Sequence, residues 1–228
     1  MGAPLQTGPG PAASRDWGQW ALEHTRQLVY GAAAVVVLIA AVWLYVTSER
    51  RKEAFASQAL SAARTDAESG NLPLAANDLS RLIDRFGGTR AADEAVILLN
   101  QVRLIEGGGQ VSLVVADLQK FVRGSHPDYV LASAWSLLGG ALEQQGKYKD
   151  AAQAYTEAAT VATHDFLKAE YLLDRGRTLA IAGDSAGARS AYAEVVEKYG
   201  ALAQSQEARA RLGQLGGTLP ATTQKPAS

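Results

Sequence analysis

Apolar positions divide the chain into two unlike parts. From Gln27 to Ser48 it reads QLVYGAAAVVVLIAAVWLYVTS, with no charged residue. At about 1.5 Å of rise per residue, a helix over this run crosses a hydrocarbon core about 30 Å thick. The pattern predicts a transmembrane helix at 28–48. Beyond it, apolar residues recur at helical spacing and strand-like alternation is absent, so the rest of the chain is expected to be all-α.

Aromatic residues bracket the apolar run: Trp17, Trp20 and Tyr30 on one side, Trp43 and Tyr45 on the other. Rings with a polar edge favour the headgroup zone, which makes these five the expected membrane-interface anchors. A cleaved leader would need a shorter apolar stretch, a basic start and a small-x-small site. Here Asp16 and Glu23 precede the run and Glu49-Arg50-Arg51-Lys52 follows it, so the segment is expected to stay in the mature protein.

Flanking charge bears on orientation. Arg15 and Arg26 lie before the run, and Arg50, Arg51, Lys52 and Arg64 after it, a bias that by itself places the C-terminal side in the cytoplasm. Large domains translocate despite such charge, so the bias weakens for a domain of this size.

Residues 1–14 and 216–228 are rich in Gly, Pro, Ala and Thr and are expected to be flexible tails. Residues 15–27 are expected to form a juxtamembrane amphipathic segment, with Ser14 placed to cap a helix starting at Arg15. From there to Ser69 no proline interrupts, so one helix about 80 Å long at 1.5 Å per residue is one expectation. A hinge near Thr47–Arg51 is the other.

Self-similarity organises 52–215. Trp135, Leu138, Gly139, Leu142, Gly146, Ala151, Tyr155 and Ala158 fit the tetratricopeptide pattern, with W-x2-L-G in a first helix and A-x3-F/Y in a second. A shift of 37 residues lands on Leu172, Gly176, Leu179, Gly183, Ala188 and Tyr192. GNLPLAANDL (Gly70, Ala75, Leu79) and GQVSLVVADL (Gly109, Val114, Leu118) repeat the layout upstream. Pro73 sits where a second helix would start and its missing N–H costs nothing. The expected fold is a tetratricopeptide-like solenoid of about four helix pairs, from near Ala56, Ala95, Ala132 and Ala169, closed by a terminal helix at Gln204–Leu215. A non-repeating helical bundle is the alternative.

A short N-terminal tail, one span, a basic patch and a C-terminal tetratricopeptide-type domain together resemble the YfgM-like family, ancillary subunits of the SecYEG translocon. The resemblance covers roughly residues 15–215 and lies in architecture. It implies a cytoplasmic N-terminus, a periplasmic repeat domain in the bacterial inner membrane, and links to periplasmic chaperones.

Composition narrows the chemistry. The 228 residues carry a net charge of −1, which argues against a nucleic-acid partner, and no cysteine, which removes thiol chemistry. His24, His126 and His164 stand far apart and none has a second ligand at metal spacing. Gly107-Gly108-Gly109 follows a helical pattern and lacks a Lys-Ser/Thr pair, so it predicts a turn and no phosphate cradle. No nucleophile motif is present. Neither an enzyme nor a cofactor is expected.

The remaining candidate is a binding surface. One residue after the Gly139 position the first helices carry Arg64, Arg103, Gly140 and Arg177, and four residues before each of these stand Leu60, Leu99, Ser136 and Leu173. If these face a groove, a ladder of guanidinium beside leucine would clamp a carboxylate or an acidic, partly apolar segment. The expected partners are proteins of an inner-membrane complex or extended polypeptide, together with the lipid bilayer. Two functions stay open: an adaptor at the translocon or in its chaperone network, and a structural or assembly subunit of a respiratory, photosynthetic or cell-envelope complex.

Overall fold

The computed structural model describes residues 24–107 and 109–216. Trp17, Trp20, the helix start at Arg15 and the tail segments 1–14 and 217–228 lie outside the described residues. Among those described there are helices and turns and no strand, and the chain divides into two compact units, 1–51 and 52–228.

Helix α1 runs Thr25–Glu68 as one element, and helical structure continues through Thr47–Arg51. There the Thr47 hydroxyl donates back to the Trp43 carbonyl, 2.7 Å away, a local bond compatible with an uninterrupted helix. In the first unit α1 is long and apolar enough to cross a membrane, with a mean hydropathy of 2.4 in its most apolar window and none of that window buried. Val35, Val36, Val37, Leu38 and Ile39 stand exposed on it, with Tyr30, Trp43 and Tyr45.

The second unit holds the end of α1 and eight further helices: α2 Leu72–Phe86, α3 Arg90–Glu106, α4 Val111–Phe121, α5 Asp128–Gln144, α6 Tyr148–Val161, α7 Asp165–Ile181, α8 Ser185–Lys198 and α9 Gln204–Gln214. Each forms for local reasons. In α2, Pro73 lies in the first turn, and Ala75, Leu79 and Leu82 recur on one buried face. The start of α3 is closed twice. Thr89 Oγ1 accepts from the Ala92 amide, and the Glu53 carboxylate of α1 accepts from the Arg90 and Ala91 amides at 2.9 and 3.1 Å. A carboxylate there satisfies orphan donors and meets the positive end of the helix dipole.

Neighbouring helices pack in chain order, α2 on α3 and then α4 on α5 through to α8 on α9, and α3 reaches α5 and α7 reaches α9 directly. The α3–α4 contact is the thinnest of these consecutive pairs. The turn after each first helix has a glycine at positive φ: Gly70 at 85°, Gly109 at 84°, Gly146 at 72° and Gly183 at 82°. That conformation is strained for any residue with a Cβ, which explains why glycine recurs there.

Seven residues before each turn glycine, a residue smaller than its counterpart recurs, with a larger one sixteen residues on in register. The pairs are Ala63 with Leu79, Val102 with Leu118, Gly139 with Tyr155 and Gly176 with Tyr192. All eight are buried. Where the contact is tightest the volume trade is visible: a Cβ on Gly139 would lie 2.8 Å from the Tyr155 ring, and one on Gly176 2.6 Å from the Tyr192 ring. The tyrosines therefore occupy space that only glycine leaves open. Val102 and Leu118 belong to different core clusters, in keeping with the thin α3–α4 packing.

Candidate functional site

The six ladder residues take up two environments. Leu60, Leu99 and Leu173 are only 6%, 6% and 8% exposed, and they pack in the core. Leu60 and Leu99 meet in one cluster with Ala63, Leu79 and Ala95, while Leu173 packs with Tyr192 and Leu212. Their burial follows from helix geometry, since Leu60 and Leu173 lie a helical turn from the small positions Ala63 and Gly176 and so share their inward face.

The arginines already hold carboxylates. Arg64 Nη2 of α1 lies 3.7 Å from Glu94 of α3, and Glu94 also accepts from the Tyr129 hydroxyl of α5 at 3.0 Å. Arg103 of α3 pairs with Asp117 of α4. Arg177 of α7 grips Glu143 of α5 bidentately, at 3.1 and 3.0 Å, and reaches Asp174 at 3.2 Å. Thr178, fully buried, also donates to Glu143. Each guanidinium ties its helix to another helix of the same unit.

The structure does not gather the six into one groove. Each arginine lines a separate cavity: Arg103 one of about 520 Å3, Arg64 one of about 330 Å3 and Arg177 one of about 360 Å3. The first combines apolar walls with several polar groups, Leu99 and Arg103 among them. Of the membrane-interface anchors, Tyr30, Trp43 and Tyr45 are exposed on α1.

The remaining candidates resolve locally. His126 Nδ1 lies 3.0 Å from Asp93, and its ring stacks on Phe121 with centroids 3.8 Å apart. His164 precedes α7 and stacks on Phe166. Gly107 and Gly109 flank the turn between α3 and α4, both at positive φ. Among the described residues no group of three or more His, Asp or Glu side chains is placed to hold a metal ion.

Burial raises the phenol pKa of Tyr155, Tyr171 and Tyr192 where the helices meet, most of all at Tyr155. Burial, and then the nearby Glu143 carboxylate, pushes the Tyr155 phenol above its usual value of 10.0. A pKa raised by folding contributes stability that is full below the unfolded value and lost as pH rises through the folded one. Alkaline unfolding is therefore expected to set in above pH 10, with Tyr155 a main contributor. In Tyr155→Phe the alkaline limb of a stability–pH profile moves upward. An unchanged limb would show that other groups govern it.

Asn100 was not singled out by its place in the sequence. It is 1% exposed and lines the largest of the three cavities. No spacing rule marks it, because its unusual feature is an unmatched atom. Comparison with known proteins supplies no relative: no family model matches the chain, and no curated protein matches it.

Proposed function

We propose that the chain is a single-pass membrane protein whose helical domain is a tetratricopeptide-like solenoid serving as a protein-binding scaffold. The observation that carries this is α1. Its apolar stretch is fully exposed, whereas the helices of the second unit bury their apolar faces against one another. Water does not tolerate an exposed apolar stretch of that length, and a bilayer does.

The solenoid assignment is supported by the recurrent small position, turn glycine and large position at steps of 39, 37 and 37 residues. Such pairs cannot bury their apolar faces alone, so they stack, and stacked pairs present extended surfaces suited to proteins. The likeness to YfgM-like translocon subunits supports a bacterial inner-membrane location with the N-terminus cytoplasmic and the repeats periplasmic. The ion-paired arginines bind the scaffold together, leaving recognition to the cavities between helices.

Purification from the native membrane in mild detergent tests the scaffold reading. Stoichiometric recovery with translocon subunits or periplasmic chaperones is expected. Recovery with a respiratory or pigment complex, and no translocon component, would replace the translocon assignment. Recovery of the chain alone would overturn the scaffold reading.

A further inference from the structure

Three hydrogen bonds tie the start of the second unit to the turn between α2 and α3. Lys52 Nζ donates to the Gly87 carbonyl at 3.1 Å, and the Glu53 carboxylate accepts from the Arg90 and Ala91 amides. Arg85, in the last turn of α2, and Arg90, the first residue of α3, flank that turn. Both are exposed and neither is ion-paired among the described residues. The Arg85 guanidinium lies 5.3 Å from the Phe86 ring centroid.

Most carboxylates around these cations are engaged elsewhere. Glu53 faces the α3 amides, Asp93 faces His126, and Glu94 faces Arg64 and Tyr129. Asp84 is left as the exposed carboxylate beside Lys52, Arg85 and Arg90. A local excess of positive charge in a chain of net charge −1 favours an anionic partner.

Chain connectivity indicates which anion. The span read from the sequence ends at 48, four residues before Lys52, and four residues extend at most about 14 Å. A headgroup layer is about 5–7 Å deep, and the field of a charged surface reaches about 10 Å beyond it. Lys52 therefore stays within that field in any pose of the second unit, and the α2–α3 turn is bonded to it. Phe55 separates a lipid from a soluble anion. It is 62% exposed, three residues after Lys52, on a stretch of α1 where Ala56 and Leu60 are buried. A free phosphate gains nothing from an exposed ring, whereas the headgroup boundary takes one up.

We propose that Lys52, Arg85 and Arg90 form a binding surface for the phosphate headgroups of anionic phospholipids, with Phe55 at the headgroup boundary. The lipid source rests on the single-pass reading above; the cation cluster does not.

The chain has no cysteine, so one introduced at Arg81 or at Asn71 carries a fluorophore toward either end of α2. The full chain is placed in phosphatidylcholine nanodiscs holding a fixed share of nitroxide-headgroup lipid, with or without phosphatidylglycerol. Adding phosphatidylglycerol is expected to raise quenching at Arg81→Cys about threefold or more, since each cation near an anionic surface strengthens attraction about fivefold. Quenching at Asn71→Cys is expected to stay level. Arg85→Gln with Arg90→Gln abolishes the rise. Lys147→Gln with Lys149→Gln, an equal loss of exposed charge at the start of α6, preserves it. No rise, an equal rise at both labels, or a rise that survives Arg85→Gln with Arg90→Gln overturns the proposal. A rise abolished by inorganic phosphate at constant ionic strength assigns the cluster to a soluble anion and overturns the lipid source. A chain absent from the discs would overturn the single-pass reading, whereas a chain retained in them without lipid dependence overturns this surface alone.

Discussion

Gly176→Ala is expected to lower the unfolding free energy by about 2 kcal/mol, the usual scale for overpacking a tight core. The added Cβ would lie 2.6 Å from Cε1 of Tyr192, a side chain 2% exposed and held between α7, α8 and α9. The ring packs with Leu173 and Leu212 and borders the cavity of about 360 Å3, so either the helices separate or the tyrosine leaves its rotamer toward that cavity. The register suggests the compensation. In the first pair the same two positions carry Ala63 and Leu79, a larger residue opposite a smaller one.

Gly176→Ala combined with Tyr192→Leu recreates that combination. The double variant is therefore expected to be more stable than the sum of the single costs by about 1 kcal/mol or more, as contacting residues allow. Chemical denaturation followed by circular dichroism measures all four corners of the cycle. Additivity would show that the glycine answers a backbone demand and not the tyrosine ring.

Glu143→Ala should have a comparable cost. The carboxylate holds Arg177 through two hydrogen bonds and also accepts from the buried Thr178 hydroxyl. Removing one partner from a fully buried pair costs about 3–5 kcal/mol because the other charge stays unpaired. Arg177 is 38% exposed at its side chain and retains Asp174, so water and the second carboxylate lower this to about 2 kcal/mol. Glu143→Gln retains an acceptor for Thr178 and loses the charge, and falls between the wild type and Glu143→Ala. Denaturation midpoints check the order. A Glu143→Ala protein as stable as the wild type would show that the pair is a solvated surface contact.

The elements that depend on local chemistry were legible in the sequence. Pro73 and the recurring Gly70, Gly109, Gly146 and Gly183 mark helix starts and turns through their own backbone preferences, and the helices lie between them. The apolar run of α1 is legible for the same reason, since hydropathy needs no partner. What failed to show is what depends on a partner far along the chain.

Helical spacing points the arginine ladder at a groove because it gives the face of a residue but not the group it meets there. Glu94, Asp117 and Glu143 come from other helices, and burial turns Leu60, Leu99 and Leu173 into core. The Glu53 cap on α3 was equally hidden, with its acceptor 37 residues from the amide it serves. Nothing in the sequence marks Asn100, because an unmatched oxygen exists only once the neighbours are in place.

Membrane anchoring by α1 is the central claim, and alkaline carbonate extraction of native membranes tests it most directly. Extraction strips proteins held by charge or by partners and leaves those threaded through the bilayer, so the full chain is predicted to remain in the pellet. A variant lacking 28–46 is predicted to move to the supernatant with its helical circular dichroism retained. Release of the full-length chain into the carbonate supernatant would contradict the account.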